Sequence, residues 1–334
     1  WSGAQANPMR ANPMRANPMR ANPMRANPMR ANPMRANFGL LNSALPADPP
    51  LVGAGTLIGP GAHPKVFLLD SGLDGTAAAS MAVTSFDLDT PDAPMGATVR
   101  DQYLDPVAGH GTFIAGLIEQ RAPGCSIHAP KMLDLLGWVD ESKVISQITN
   151  ALSDYRSDAP IQRRQEVILN LSFGGPTLGE PEAMRSAIAA AINEGIVIVA
   201  SAGNDSTCVP QYPAAFPGVI AVGALDSIGP APFTNYGDWV DACAPGTDLV
   251  STFFTFNGQF PTINTSDIDH FEGWATWSGT SFSAPIVVAA IAREMVLSDP
   301  PAGRASISAG EAANRVVRAP HLMRIPCLGT VVNL

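Results

Sequence analysis

The 334-residue chain has no apolar run close to the eighteen or so residues needed to cross a bilayer, since the stretch from Ala284 to Ala292 is bounded by Ser283 and Arg293. No membrane span is expected. Cysteine is scarce: Cys125, Cys208, Cys243 and Cys327 are too dispersed for a zinc ribbon and too few for a disulfide scaffold. One or two disulfides, or four buried thiols, are equally open, and the compartment is not fixed. The first residue is Trp1, without an initiator Met or a signal-peptide pattern, so an upstream part is expected to be missing. Acidic residues are absent from the first 35 positions, which hold six Arg; from Ala36 onward 14 basic residues face 29 acidic ones, a balance of −15. Such a body is not expected to bind nucleic acid. Charged residues make up only 15% and hydrophobic ones 46%, ample for a large core.

Residues 6–35 are six copies of Ala-Asn-Pro-Met-Arg. This period is too short for a solenoid unit, and one Met per five residues cannot repay the entropy of ordering. Residues 1–36 therefore read as a flexible low-complexity arm, with attraction to acidic surfaces, its own body included, as a functional alternative. Residues 37–60, rich in Pro and Gly, read as an approach segment to a domain over 61–334.

Regular structure begins at Lys65-Val-Phe-Leu-Leu69, a buried strand running into the turn Asp70-Ser-Gly72. Next comes Gly109-His-Gly-Thr112, opening an apolar helical stretch. Strands are predicted over 126–132, 166–171 and 196–200, and helices over 141–155 and 182–194. Short strands are predicted between Val219 and Cys243, then a loop region with Trp274 and Trp277, and a last helix near 309–318. Strand and helix in alternation predict an α/β fold, a doubly wound and mostly parallel sheet with helices on both faces. Ligands of such sheets bind at the carboxyl ends of the strands. Asp70, Ser172 to Gly174 and Ser201 to Asn204 all lie just past strand ends.

The chain is organised around Trp277-Ser-Gly-Thr-Ser-Phe-Ser-Ala-Pro285 and the apolar run Ile286 to Ala292. The run reads as a helix hydrophobic on every side, with Ser281 at its mouth, where unpaired N–H groups favour an anion. Pro285 has no N–H, so the Ser281 carbonyl loses its normal helical partner. Taken singly, the polar points have ordinary readings: Ser281 as an N-cap, Asp70 and Asn204 as turn residues, His110 as a helix cap. Taken together, Asp70, His110 and Ser281 fit a hydroxyl activated by an imidazole that a carboxylate orients, in one of the chain orders in which that triad occurs.

Seven segments carry a resemblance to the subtilisin-like (subtilase) serine peptidases: Val66 to Gly72, Gly109 to Gly116, Ile168 to Gly175, Val199 to Asn204, Tyr212 to Gly223, Ala244 to Gly246 and Gly279 to Pro285. They follow one another in the family's order over about residues 65–300. The resemblance implies a serine endopeptidase acting on polypeptides through an acyl-enzyme. Ser281 would be the nucleophile, His110 the general base, Asp70 its orienting carboxylate and Asn204 the side-chain donor of the oxyanion hole. It further implies a substrate pocket lined by Ser172, Phe173 and Gly174 and by Ser201, Ala202 and Gly203, with backbone at Met132-Leu133 for an extended peptide to pair with. Ser71 and Ser283 are not assigned to catalysis.

Phe113 and Phe282 depart from the family's usual residues and are expected to narrow the pocket. Residues 1–60 do not resemble the family's inhibitory prodomain, which leaves room for a separate or missing propeptide. No cofactor is required for the chemistry; structural calcium is left open, although no Asp-rich ligand loop is present. Most family members are exported, which implies an extracellular location. A sedolisin-like peptidase would not place His110 as it is here, and an α/β-hydrolase would need Gly-x-Ser-x-Gly. The alternative from another class is a catalytically silent subtilase fold that binds peptides or a partner.

Overall fold

The computed structural model describes residues 64–91, 107–134, 137–157, 166–176, 181–257, 270–297 and 307–333, together with two short strands at 14–16 and 35–36. In chain order the first elements are β1 (Met14–Ala16), β2 (Arg35–Ala36), β3 (Lys65–Leu68), α1 (Gly75–Ala78), β4 (Val83–Phe86), α2 (His110–Arg121), β5 (Ser126–Ala129), β6 (Trp138–Val139), α3 (Glu141–Ser157) and β7 (Val167–Leu171). They continue with β8 (Phe173–Gly174), α4 (Glu182–Asn193), β9 (Val197–Ser201), β10 (Ile220–Leu225), β11 (Ala242–Pro245), β12 (Leu249–Asn257), β13 (His270–Trp277), α5 (Thr280–Leu297), α6 (Ala309–Ala313), a π-helical turn at Asn314–Arg318, β14 (Arg324–Ile325) and β15 (Gly329–Val331).

Nine strands form the central sheet in the order β14-β15-β11-β10-β9-β7-β3-β5-β4. Every pairing is parallel except that of β14 with β15. Side chains on a strand point alternately to the two faces, and the core divides accordingly. Val66, Leu68, Ile168 and Val199 pack in one cluster with α2 and α5, whereas Phe67, Leu69, Leu169 and Ile198 pack in another with α3 and α4. This is the doubly wound α/β architecture expected from the alternation of elements.

Helix α5 holds the first cluster together. All seven residues from Ile286 to Ala292 are buried, with apolar neighbours on every side of the helix. Each buried Ile or Val contributes about 1.5–3 kcal/mol relative to exposure. Its N-terminus is therefore fixed, and with it everything attached to Ser281.

Two stretches differ from the sequence-based expectation. The region before α5, expected to be a loop with Trp274 and Trp277, contains the antiparallel pair β12 and β13, in register from Leu249 opposite Trp277. The pair forms because its inward residues Phe253, Phe254, Phe271 and Trp277 complete the core beside α2. In the arm, where no regular structure was expected, β1 pairs antiparallel with both β6 and β8, and β2 with β13. Existing strand edges supply those ladders, so the arm needs no core of its own. The remainder of the arm, and residues 37–60, lie outside the described residues.

None of the four cysteines is bridged: Cys125 and Cys243 are buried, Cys208 and Cys327 exposed. Burial pushes both buried thiols up to about 12, with Glu119 adding to the effect at Cys125. The thiolate is the reactive form. A thiol-specific disulfide reagent at pH 8 is expected to modify Cys208 and Cys327 in the folded protein and the other two only after denaturation; rapid modification of all four would contradict this arrangement.

Candidate active site

The site lies where β3, β7 and β9 end and α2 and α5 begin. Past the end of β3, Asp70 makes a parallel bridge with Lys131 and its carbonyl accepts the amides of Met132 (2.6 Å) and Leu133 (3.2 Å). One carboxylate oxygen, Oδ1, accepts the Ser71 amide at 2.8 Å and faces His110 Nδ1 at 2.6 Å. With the proton on Nδ1, Nε2 is left as the basic nitrogen. Asp70 and His110 are both 0% exposed.

Close approach of α2 to this loop requires glycine at position 111, where a Cβ would lie 2.3 Å from the Gly72 carbonyl oxygen. At position 109, which caps α2 with φ 76°, a Cβ would meet the Phe253 ring at 2.1 Å. The Gly-His-Gly sequence is thus what lets a titratable ring enter so tight a space.

Ser281 lies in the first turn of α5, itself fully buried. Pro285 deprives its carbonyl of the helical donor, and the Ser172 hydroxyl takes that place at 2.8 Å. In return, Ser281 Oγ donates to the Ser172 carbonyl at 3.1 Å. His110 Nε2 is buried and without a hydrogen-bond partner among the described residues. The structure therefore joins Asp70 to His110 but not His110 to Ser281, whose hydroxyl is engaged elsewhere.

Asn204 follows β9. Its Oδ1 accepts both the Thr280 amide (2.8 Å) and the Thr280 hydroxyl (2.9 Å), which orients the side chain with Nδ2 as its donor end. The Gly203 amide donates to Thr280 Oγ1 at 3.1 Å, tying the loop after β9 to the same turn.

Of the expected pocket residues, Ser172, Phe173, Ser201 and Ala202 are fully buried, with Gly174 and Gly203 buried beside them. The Leu133 amide is taken by the Asp70 carbonyl, and its side chain lies in the core. The strand edges that follow, β6 and β8, are both paired with β1. Phe113 and Phe282, expected to narrow the pocket, are a correction. Both are 0% exposed and pack at 4.6 Å on each other, beside His110 and Trp277, so neither offers surface to a pocket. Ser71 and Ser283 are engaged structurally: Ser71 Oγ donates to Asp89 and accepts the Gly111 amide, and Ser283 Oγ bonds the carbonyls of Ala244 and Pro245.

Residues 61–302 match the model of the Subtilase family. The chain belongs to that family. Subtilisin NAT of Bacillus subtilis subsp. natto is 30% identical over 264 residues, covering 66% of this chain and 63% of that protein. The chain thus spans somewhat under two thirds of that relative's length. Among solved structures, a lanthipeptide protease superposes with a TM-score of 0.61 at 21% identity, over 81% of this chain and 85% of that one. A cold adapted subtilisin-like serine proteinase gives 0.58 at 21% identity, over 80% and 88%. These likenesses establish the subtilase fold. Among the described residues no group of three or more His, Cys, Asp or Glu side chains could hold a metal ion.

Sequence reasoning missed two residues that hold this subtilase site in shape. Asn235 donates from Nδ2 to the Ala202 carbonyl (2.9 Å) and accepts the amides of Asp205 (2.9 Å) and Thr207 (3.1 Å), clamping the Asn204 loop. Asp89, 3% exposed, accepts Ser71 Oγ (2.8 Å) and the Gly109 amide (2.9 Å) on one oxygen and Lys131 Nζ (3.2 Å) on the other. Each lies in a polar stretch where only the partner, far away in sequence, reveals the role.

Burial holds the Asp89 carboxyl above the usual carboxylate range, opposed by Lys131 and by the hydrogen bonds it accepts from Gly109 and Ser71. An acid raised on folding makes the folded state bind the extra proton, so its contribution to stability falls as pH rises from about 4 through the raised value. Asp89→Ala strands the Ser71 hydroxyl and the Gly109 amide and is expected to cost about 2–4 kcal/mol. Urea unfolding between pH 4 and 8 should show the gap from wild type widest on the acid side and narrowing upward; a gap that widens with pH would contradict the assignment.

Proposed function

We propose that this protein is a serine endopeptidase that hydrolyses polypeptides through an acyl-enzyme. The observation that carries the reading is the 2.6 Å contact between His110 Nδ1 and Asp70 Oδ1, both fully buried, beside a serine at the start of a buried helix. Asp70 holds the ring in the tautomer whose Nε2 is basic and stabilises the imidazolium when it forms. For catalysis the Ser281 hydroxyl must leave the Ser172 carbonyl for that nitrogen. Catalytic hydrogen bonds are often tightened only when substrate is bound.

In the first step His110 Nε2 takes the proton as Ser281 Oγ attacks the scissile carbonyl. The oxyanion is received by Asn204 Nδ2, whose orientation Thr280 sets, and by the Ser281 amide at the positive end of α5. The imidazolium then gives its proton to the leaving amine, and water deacylates the enzyme by the same route in reverse. Every group that this scheme uses belongs to the chain, so no cofactor is required. The substrate backbone pairs with the edges at β6 and β8, and Ser172 to Gly174 with Ser201 to Gly203 form the walls beside the scissile bond. An extracellular location accords with relatives named as extracellular proteases, among them one from Thermus sp. (strain Rt41A).

The test is labelling by a fluorophosphonate probe at neutral pH, with circular dichroism as a folding check. Wild type should label, and Ser281→Ala and His110→Ala should not. Asn204→Ala should retain the fold and lose about 10²- to 10³-fold in kcat, the range known for the loss of one such donor in subtilisin. A folded wild type that neither labels nor cleaves a broad peptide library would overturn the reading.

A further inference from the structure

Strand β1 lies between β6 and β8, antiparallel to both. Arg15 is opposite Trp138 on one side and Gly174 on the other, Met14 is opposite Val139, and Ala16 opposite Phe173. Phe173 directly follows Ser172, the residue whose carbonyl accepts the Ser281 hydroxyl. The repeat arm therefore enters the edge-to-edge groove within one residue of the Ser281 contact. A second piece of the arm, Arg35–Ala36, pairs with Ala275 and Thr276, just before the turn that leads into α5.

Both docked pieces belong to the same Met-Arg-Ala unit, which occurs six times. The intervening Asn-Pro steps are absent from both strands, as expected where Pro has no N–H to give to a ladder. Charge favours the contact as well, six Arg without an acidic residue facing a body of −15. His110 and Ser281 have no exposed surface in this arrangement.

We propose that the Ala-Asn-Pro-Met-Arg arm is a tethered strand ligand of the peptide groove. Its Met-Arg-Ala units dock singly between Trp138–Val139 and Phe173–Gly174 and compete there with polypeptide substrate. The inference rests on reading this groove as the substrate site. One short strand binds weakly in free solution, but covalent attachment raises its effective concentration to the order of millimolar, and six copies offer alternatives when one leaves. Ladder bonds are made by backbone, so the groove can accept each copy alike.

The test uses the full chain and a full-length variant with Arg→Pro at positions 10, 15, 20, 25, 30 and 35, which removes the central N–H of every unit. The variant is expected to show a KM for a neutral peptide substrate lowered severalfold with kcat unchanged, and a free two-repeat peptide should restore the higher apparent KM competitively. An unchanged KM together with no inhibition by the peptide would overturn the proposal. A second readout needs no activity: in full-length Ser281→Ala protein, amide hydrogen exchange in peptides carrying Val139 and Gly174 should quicken when the six Arg→Pro changes are added. Equal exchange means that the arm does not dock and sinks the proposal, whereas quickened exchange in a chain that cleaves nothing upholds docking and removes the peptidase reading instead.

Discussion

The reciprocal contact between Ser172 and Ser281 fixes the geometry around which the rest of the site is arranged. Each hydroxyl donates to the other's carbonyl, joining the end of β7 to the first turn of α5 across 109 positions of sequence. The contact exists because Pro285 leaves a helical carbonyl without its partner. A buried carbonyl stripped of its donor is costly, and here another strand end supplies the donor. The unusual start of an otherwise apolar helix thus becomes its point of attachment to the sheet.

From that attachment the other groups follow. Thr280 bonds Asn204 and the Gly203 amide, so the loop after β9 takes its position from the same turn. The aromatic rings of Trp277 and Phe282 lie 5.6 Å and 5.3 Å from the His110 ring, giving it a stiff apolar wall. Asp89 and Ser71 brace the first amides of α2. The imidazole is held by packing and by charge at once, which leaves it little freedom except the exchange of a proton.

Local chemistry made much of this legible in the sequence. Asp70, His110, Asn204 and Ser281 each lie at an element boundary marked by glycine or small residues, and the strands β3, β7 and β9 are near-continuous apolar runs of the kind a covered parallel sheet requires. What could not be read depended on partners distant along the chain. Asp89 and Asn235 look like ordinary polar loop residues until the amides they serve are brought to them. The pair β12 and β13 escaped notice because a polar stretch of sequence separates its strands and its mixed pattern fits neither period well. The arm strands were missed for a different reason: composition measures whether a segment can order itself, and this one borrows its order from edges that already exist.

The proline in every repeat has a consequence for how such a basic, repetitive segment coexists with other copies of itself. Strand edges invite further strands, and identical sequences in register are the usual starting material of fibres. A proline every fifth residue interrupts any ladder after a few positions, and an arginine in each unit sets like charges against one another when copies stack. The arm is thus adhesive towards strand edges of its own domain and self-avoiding towards its neighbours.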